Sequence, residues 1–481
     1  MPADTLPAPG WRRPTAPAAA RLIRPRSYEE AVAAVRDCDA HGTIPGVPGG
    51  PGGSLGDAAR NAGGALLDLG ALDRVHAIDA GAGTVLCDAG VSLHRLTEVL
   101  LPLGWCLPVT PGSPYVTVGG ALATDLPGVN HPASGTFSRH VAAFELLTGD
   151  GGIRTVRPGT ALFDATAGGL GLTGAVLTAT IALRPVESPL MAVTTERVTG
   201  LDALLNRLPD GDHEYAVARL DLLARGASNA RATLVRADHA PARAGKTSAT
   251  RAWRDFSLSG VSRLSRARST RLQPLPAFFT GPGDDTPHRA GLTGLTGLTS
   301  LTELTRLAGL TRLPGDLYAR RGPVDGVLGG VLRDTVTDLL RDRLPDHDAG
   351  GVVRYRFLLG YGDEDTLRRI VRRVAERRCG SLPAVLTRFG EAGPGWLSFP
   401  APGWALTLDL PAALPGLPGL LDALDEEVAV AGGRIWLAGD SRPRRDLLAA
   451  MYPRLADFRA LRAELDPQAA FTSDLARRLH L

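Results

Sequence analysis

Pro108 to Phe137 reads PVTPGSPYVTVGGALATDLPGVNHPASGTF. The stretch joins a Pro-Gly-Ser-Pro turn (Pro111 to Pro114), a β-branched run Val116-Thr117-Val118, and Gly119-Gly120 followed by the small residues Ala121 and Ala123. Such choices make sense where backbone lies close to something flat or charged. Glycine removes the Cβ that blocks a ligand and leaves N–H groups free to donate. A Gly-rich turn leading into a helix is the alternative, and the flanking segments decide between the two.

Toward the N-terminus, Arg21 to Pro25 reads as a short strand, and Ser27 caps a helix whose first turn holds Glu29 and Glu30. Ala31, Val32, Val35 and Cys38 give that helix an apolar stripe, His41-Gly42 ends it, and Thr43 to Pro48 is the next strand. Directly after it comes a second Gly-dense loop, Gly49-Gly50-Pro51-Gly52-Gly53-Ser54-Leu55-Gly56-Asp57. A loop so poor in side chains can wrap a diphosphate with backbone N–H groups, although a flexible linker has the same composition. It lacks the G-x-x-x-x-G-K-[ST] pattern, which disfavours a nucleoside triphosphatase. Ala65–Leu69, Val75–Asp79 and Thr84–Gly90 read as strands, and Val91–Pro102 as a helix.

Toward the C-terminus, Val141–Leu147 and Ile153–Val156 flank Thr148-Gly149-Asp150-Gly151-Gly152, a hairpin signal. Gly169 to Gly174 matches G-x-G-x-x-G but follows a helical segment and enters the strand-like Ala175–Ile181, the reverse of a dinucleotide fingerprint. An NAD-linked dehydrogenase is therefore disfavoured. The texture changes near Glu187, and Leu292–Leu313 repeats Leu-Thr with a near-triplet period that suits neither helix nor strand. Strands at Val352–Leu359 and Trp404–Leu410 and helices at Glu364–Arg378 and Leu414–Ala431 follow.

The 481 residues suggest two or three domains. Aromatics at 5% and a net charge of +3 from 53 basic and 50 acidic residues give no footprint for nucleic acid. Cys38, Cys87, Cys106 and Cys379 have no C-x-x-C spacing, so no zinc or other metal site is expected, and free buried thiols are. The first residues lack an apolar signal core, and no stretch is long and apolar enough to span a bilayer. The expectation is a cytoplasmic protein, with surface attachment to a membrane left open.

In order, GWRRPTAP (Gly10–Pro17), the Gly49–Asp57 loop, TPGSPYVTVGGALATD (Thr110–Asp125), ELLTGDGGIR (Glu145–Arg154) and GGLGLTGAVLTATI (Gly168–Ile181) resemble flavoproteins of the vanillyl-alcohol-oxidase (PCMH-type FAD-binding) superfamily. With LSFPAPGW (Leu397–Trp404), DSR (Asp440–Arg442), MYPR (Met451–Arg454) and DPQAAFTSDLARRL (Asp466–Leu479), they resemble more narrowly the actinobacterial decaprenylphosphoryl-β-D-ribose 2'-oxidases. The resemblance spans nearly the whole chain and is weak from about 230 to 350. It implies an α+β protein: a two-part FAD-binding domain (1–187), an α+β substrate domain with an antiparallel sheet (188–430, including a low-complexity loop at 290–315), and a C-terminal return to the FAD domain (431–481).

By the same resemblance, Gly49, Gly50, Gly52, Gly53, Ser54, Gly56 and Asp57 hold the FAD pyrophosphate. Gly112, Thr117, Val118, Gly119, Gly120, Thr124 and Asp125 line the flavin, Ala175 and Val176 meet the adenine end, and Trp436 contacts the cofactor. Gly53 stands where a His commonly makes a covalent flavin link, so FAD is expected to be non-covalent.

The substrate wall departs from the family. Gly439 replaces a Lys implicated in oxidation, Leu55 a Tyr, Pro127 a His, Thr387 a Lys, Arg354 and Arg356 a Gln pair, Ala405 an Asn and Thr407 a Cys. Oxidising a secondary alcohol over flavin N5 needs a group to take the hydroxyl proton, which glycine cannot do. Tyr355, Asp440 and His131 are the candidates, each with a structural role as its alternative. Arg354 and Arg356, two apart on a predicted strand, share a face and could grip a phosphate or carboxylate; a solvated face is the bland reading. The expected activity is oxidation of a secondary alcohol of a sugar or polyol, phosphate-linked ones included, by hydride transfer to flavin N5, the alternative a flavin-binding paralogue with lost or altered oxidation acting as a partner subunit. A reductase partner completing an epimerisation is left open.

Overall fold

The computed structural model describes residues 21–37, 42–45, 56–110, 116–188, 190–209, 213–222, 231–239, 318–323, 352–377, 382–412, 414–439 and 443–481. Strand β1 (Arg21–Ile23) leads to Ser27, whose hydroxyl accepts the Glu30 N–H at the start of α1 (Tyr28–Arg36). The Glu30 carboxylate reaches back to the Arg26 N–H, just ahead of the cap, so the cap satisfies one of the helix's otherwise unbonded N-terminal donors and Glu30 fastens the chain entering it. The helix stops at Asp37, short of the expected His41-Gly42. β2 (Thr43–Pro45) and β3 (Ala65–Leu67) complete a parallel three-stranded sheet with β3 in the middle. Ala31 and Val35 of α1 pack with Leu67 in a small core.

A second sheet is built from β4 (Val75–Asp79), β5 (Thr84–Asp88), β7 (Val141–Leu147), β8 (Ile153–Val156) and β9 (Ala175–Ala182), antiparallel in the order β4-β5-β9-β7-β8. Between β5 and β7 the chain forms α2 (Leu93–Leu100), β6 (Trp105–Cys106), α3 (Val118–Ala123) and α4 (His131–Ser134), and α5 (Ala161–Thr166) precedes β9. Leu96, Val118, Ala121 and Phe163 from the helices meet Val85, Cys87, Phe144 and Leu146 from the strands in one core. β10 (Arg184–Pro185) pairs with β6. Cys87 and Cys106 are buried and in no disulfide, while Cys38 and Cys379 lie outside the described residues.

A larger sheet follows. It contains β11 (Leu190–Thr199), β12 (Tyr215–Asp221), β13 (Arg231–His239), β14 (Tyr318–Pro323), β15 (Val352–Leu359), β16 (Leu382–Phe389), β17 (Gly403–Pro411) and β18 (Arg434–Ile435). Among the described residues its order is β14-β11-β13-β12-β16-β17-β15-β18, antiparallel throughout. Helices α6 (Leu201–Arg207), α7 (Glu364–Glu376) and α8 (Leu417–Val430) cover one face, where Val353, Tyr355, Phe357, Leu406 and Leu408 meet Ile370, Val374, Leu420 and Leu424. Side chains alternate along a strand, so the intervening residues of β15, β16 and β17 project from the opposite face.

The C-terminal segment forms α9 (Leu448–Met451), α10 (Leu455–Leu465) and α11 (Asp474–Leu479). It returns to the start of the chain: Thr43 N–H donates to Ala470 O at 2.6 Å, and Thr472 N–H to Thr43 O at 2.8 Å. The expected boundary at 431 needs correction, because β18 pairs with β15 through Phe357–Ile435 and Leu358–Arg434 and so belongs to the large sheet. Among the described residues no helix is long and apolar enough to cross a membrane. The 290–315 repeat lies outside the described residues.

Candidate cofactor and substrate site

The Gly119-Gly120 segment is helical, and its donors are not free. Val118 N–H donates to Val91 O and Gly119 N–H to Ala89 O, while Thr117 caps α3 by accepting Gly120 N–H on its side chain and Ala121 N–H on its carbonyl. The expectation that these glycines offer backbone N–H groups to a ligand is thus corrected. What the missing Cβ allows at Gly119 is close packing, since a Cβ there would lie 3.1 Å from the Ala89 Cβ. The helix still presents a partly open face of small residues, Thr117, Gly120 and Thr124, three and four positions apart, with Val118, Ala121 and Leu122 buried behind it.

Asp125 departs further from its expected place. It is wholly buried in a left-handed conformation, accepting from Ser138 N–H at 3.1 Å and from Ser398 Oγ at 2.5 Å. Burial pushes its carboxyl pKa up, against these hydrogen bonds. Asp125 therefore fastens the α3 segment to the 390–400 segment instead of facing a flavin.

One glycine-rich segment, Gly168 to Gly171, packs beside α3 and against Pro45. Leu170 N–H donates to Ala123 O at 2.8 Å and Gly168 N–H to Leu122 O at 3.0 Å. Gly171, at φ +75°, packs so tightly on Pro45 that a Cβ would lie 2.8 Å from its Cγ. Pro45 is the last described residue before the first Gly loop, and Gly56 and Asp57, where the description resumes, open a 3-10 turn in which Asp57 pairs with Arg478 at 2.8 Å. α5 precedes and β9 follows the Gly169–Gly174 motif, as the sequence order requires, with Ala175 and Val176 buried in β9. Gly49, Gly50, Gly52, Gly53, Ser54 and Gly112 lie outside the described residues.

The face of β15, β16 and β17 turned away from the helices carries the four expected substrate residues. Arg356 stands opposite Thr407, Thr387 opposite Ala405, and Arg354 opposite Asp409. Arg354 is held by Asp409 through Nε and Nη2, each at 2.7 Å, so it is not free to grip a ligand as expected. Thr387 is buried and donates to Ala405 O at 3.4 Å, and Thr407 is half-buried.

The Arg356 guanidinium makes no hydrogen bond or ion pair among the described residues, and its Nε is enclosed. Its Cζ lies 5.5 Å from the Phe389 ring centre and 5.3 Å from those of Phe399 and Trp436. Burial, then the charge of Arg354, lowers its pKa to about 10, so it stays cationic at neutral pH.

Two of the proposed proton acceptors fit that role poorly. Tyr355 points to the helix-covered face and donates to Asp425 Oδ1 at 2.9 Å, away from Arg356, and burial raises its pKa. His131, at the start of α4, accepts Gly390 N–H on Nδ1 at 3.0 Å. Burial and the charges of Arg356 and Arg139 lower its pKa to about 4, so near neutrality Nε2 carries the proton of a neutral ring. That buried Nε2 has no partner and is a donor, not a base. Asp440 lies outside the described residues.

Trp436 N–H donates to Arg356 O, which seats its ring beside the guanidinium. A Cβ on Gly439 would meet Trp436 and the Arg354 carbonyl at 3.4 to 3.5 Å, ordinary contact, so space exists for a side chain there. Sequence reading missed Asp409, Ser398 and the aromatic walls Phe389 and Phe399. The alternation of β17 already placed Asp409 on the Thr407 face, but not its partner.

The pieces fit a flavin: a small-residue helix face, the Gly168–Gly171 segment bonded to its end, and a cation walled by aromatic rings. Among the described residues no His, Cys, Asp and Glu cluster could hold a metal. Residues 19–157 match the FAD binding domain family. Over 497 residues, 100% of this chain and 99% of the relative, the sequence is 32% identical to decaprenylphosphoryl-beta-D-ribose oxidase of Mycolicibacterium smegmatis. It is 49% identical over 400 residues, 81% of this chain and 100% of the relative, to the Uncharacterized protein in mprA 5'region of Streptomyces coelicolor. Alditol oxidase of a Streptomyces species is 30% identical over 167 residues, 35% of this chain and 39% of that enzyme.

Proposed function

The chain belongs to the PCMH-type FAD-binding oxidoreductases, the family of decaprenylphosphoryl-beta-D-ribose oxidase, with FAD as cofactor, and from that premise we propose that it oxidises a secondary alcohol of a small sugar or polyol. When bound, FAD would supply a two-electron acceptor for the oxidation of the alcohol. Thr117, Gly120 and Thr124 on the open face of α3 would hold the isoalloxazine, the 49–57 loop the pyrophosphate and the backbone at Ala175 and Val176 the adenine end, with FAD bound non-covalently. The large sheet forms the substrate domain and the segment after Ile435 returns to the FAD domain.

The observation that carries this reading is the single polar face of β15–β17. Arg356, Thr387 and Thr407 orient the substrate there, while Phe389, Phe399 and Trp436 exclude water. Asp440 is the group left to receive the hydroxyl proton. The test is direct: the purified protein is yellow, releases FAD on denaturation, and bleaches when mixed anaerobically with a responsive polyol or sugar phosphate. A colourless protein that FAD cannot reconstitute contradicts it.

Gly439, with Tyr355 and His131 unsuited as bases, favours a second reading, a flavin-binding subunit with lost or altered oxidation. FAD present with no bleaching by any alcohol in the panel would select it.

A further inference from the structure

We propose that Arg356 and His131 form an oxyanion subsite, so that the molecule bound against this wall carries a carboxylate or a phosphate. The inference rests on the FAD-dependent reading for the purpose of this wall, but its residues stand on their own geometry.

Both side chains flank one ring. Phe389 lies 4.5 Å, centre to centre, from the His131 ring and 5.5 Å from Arg356 Cζ. Each side chain brings an enclosed, unpartnered donor, Nε of Arg356 and Nε2 of His131. Buried donors are rarely left unsatisfied, and an unpaired buried cation more rarely still. Among the described residues on this face of β15, β16 and β17 the carboxylate is Asp409, and both its oxygens are engaged by Arg354. Among the described residues, therefore, no carboxylate pairs with Arg356.

The surroundings select the ligand's shape. Three aromatic rings surround the guanidinium at 5.3 to 5.5 Å, where their faces favour a cation, and its edge is the direction left for hydrogen bonds. A planar fork matches a carboxylate or phosphate at two points, and a neutral imidazole N–H adds a third donor without another charge. His131 is fixed for this task by Gly390, whose N–H occupies the other ring nitrogen. Only a group with several acceptor oxygens uses all of these donors.

FAD-loaded protein titrated with inorganic phosphate and, separately, with oxalate tests the assignment by flavin absorption and by calorimetry. Saturable binding of one or both anions is expected, and which one binds tells phosphate from carboxylate. Arg356→Gln weakens that binding about tenfold or more at unchanged FAD content. Arg356→Lys keeps the charge but loses the fork and falls between, and His131→Phe weakens binding less than Arg356→Gln. Absence of saturable binding of either anion overturns the proposal. So does anion binding unchanged in Arg356→Gln while the flavin midpoint potential and sulfite reactivity shift, since the guanidinium would then serve the flavin. Protein without FAD would contradict the parent reading alone, and calorimetry with phosphate and oxalate on that protein would still decide the subsite.

Discussion

Arg354 and Asp409, directly opposite in the β15–β17 register, meet in a two-point ion pair with both distances at 2.7 Å. Breaking it from the acid side removes the carboxylate that Arg354 engages at two points. Asp409→Asn is expected to lower stability by about 1–3 kcal/mol, read from urea unfolding of the FAD-loaded protein, because a partly buried charge loses its partner. An unchanged midpoint would show the pair to be solvent-screened.

Gly439→Lys is expected to fold like the parent, with a similar melting temperature, because its Cβ meets nothing closer than 3.4 Å. The added amine would provide the group that the family places before Asp440-Ser441-Arg442. Anaerobic flavin reduction by the best alcohol of the panel should then rise about tenfold or more, in the range of a general base or positioned cation. A stopped-flow rate no higher than the parent's would show that the residue at 439 does not limit flavin reduction.

Gly171→Ala tests the packing of the Gly168–Gly171 segment against Pro45. Its φ of +75° and the 2.8 Å approach of a Cβ to Pro45 Cγ force the neighbouring strand end to shift. FAD affinity, measured by flavin fluorescence on reconstitution, should fall, with a stability loss of about 1–3 kcal/mol. Retained affinity would separate this contact from the cradle.

Asp425 gives a pH signature. Burial raises its pKa to about 7, and Tyr355 donates to one oxygen while the other has no partner. A carboxyl whose folded pKa lies above its unfolded value binds more protons when folded, so its contribution is complete below about pH 4 and is lost as pH rises to about 7. Wild-type stability should fall across that window by up to about 4 kcal/mol, at 1.36 per pKa unit. Asp425→Asn should remove this component and be the more stable protein at pH 8, by denaturant titration at several pH values.

Local pattern was legible wherever chemistry and partner are close in sequence. Ser27 with Glu29 and Glu30 announced α1, and the two-residue spacing of Arg354 and Arg356 announced their common face. What the residues could not show was how distant groups use them. Gly119 advertises a missing Cβ, but its N–H is taken by Ala89 O, and the bare backbone serves packing. Asp125, Ser138 and Ser398 join across segments that no local pattern links. His131 reads as a base until Gly390 claims its Nδ1. The Arg21–Pro185 framework of short strands and helices was therefore more readable than the wall, whose properties depend on which strands become neighbours.

The alternation of β15 has a consequence for diversification. Positions 354 and 356 project from the face away from the helices while 353, 355 and 357 anchor the helices, and 405, 407 and 409 divide in the same way from 406, 408 and 410. Two surfaces are thus written on interleaved residues of the same strands. A library confined to 356, 387 and 407 would vary the face away from the helices while leaving the helix-facing hydrophobic layer, the buried Ala405 and the Arg354–Asp409 pair in place, whereas randomising contiguous residues would damage both surfaces.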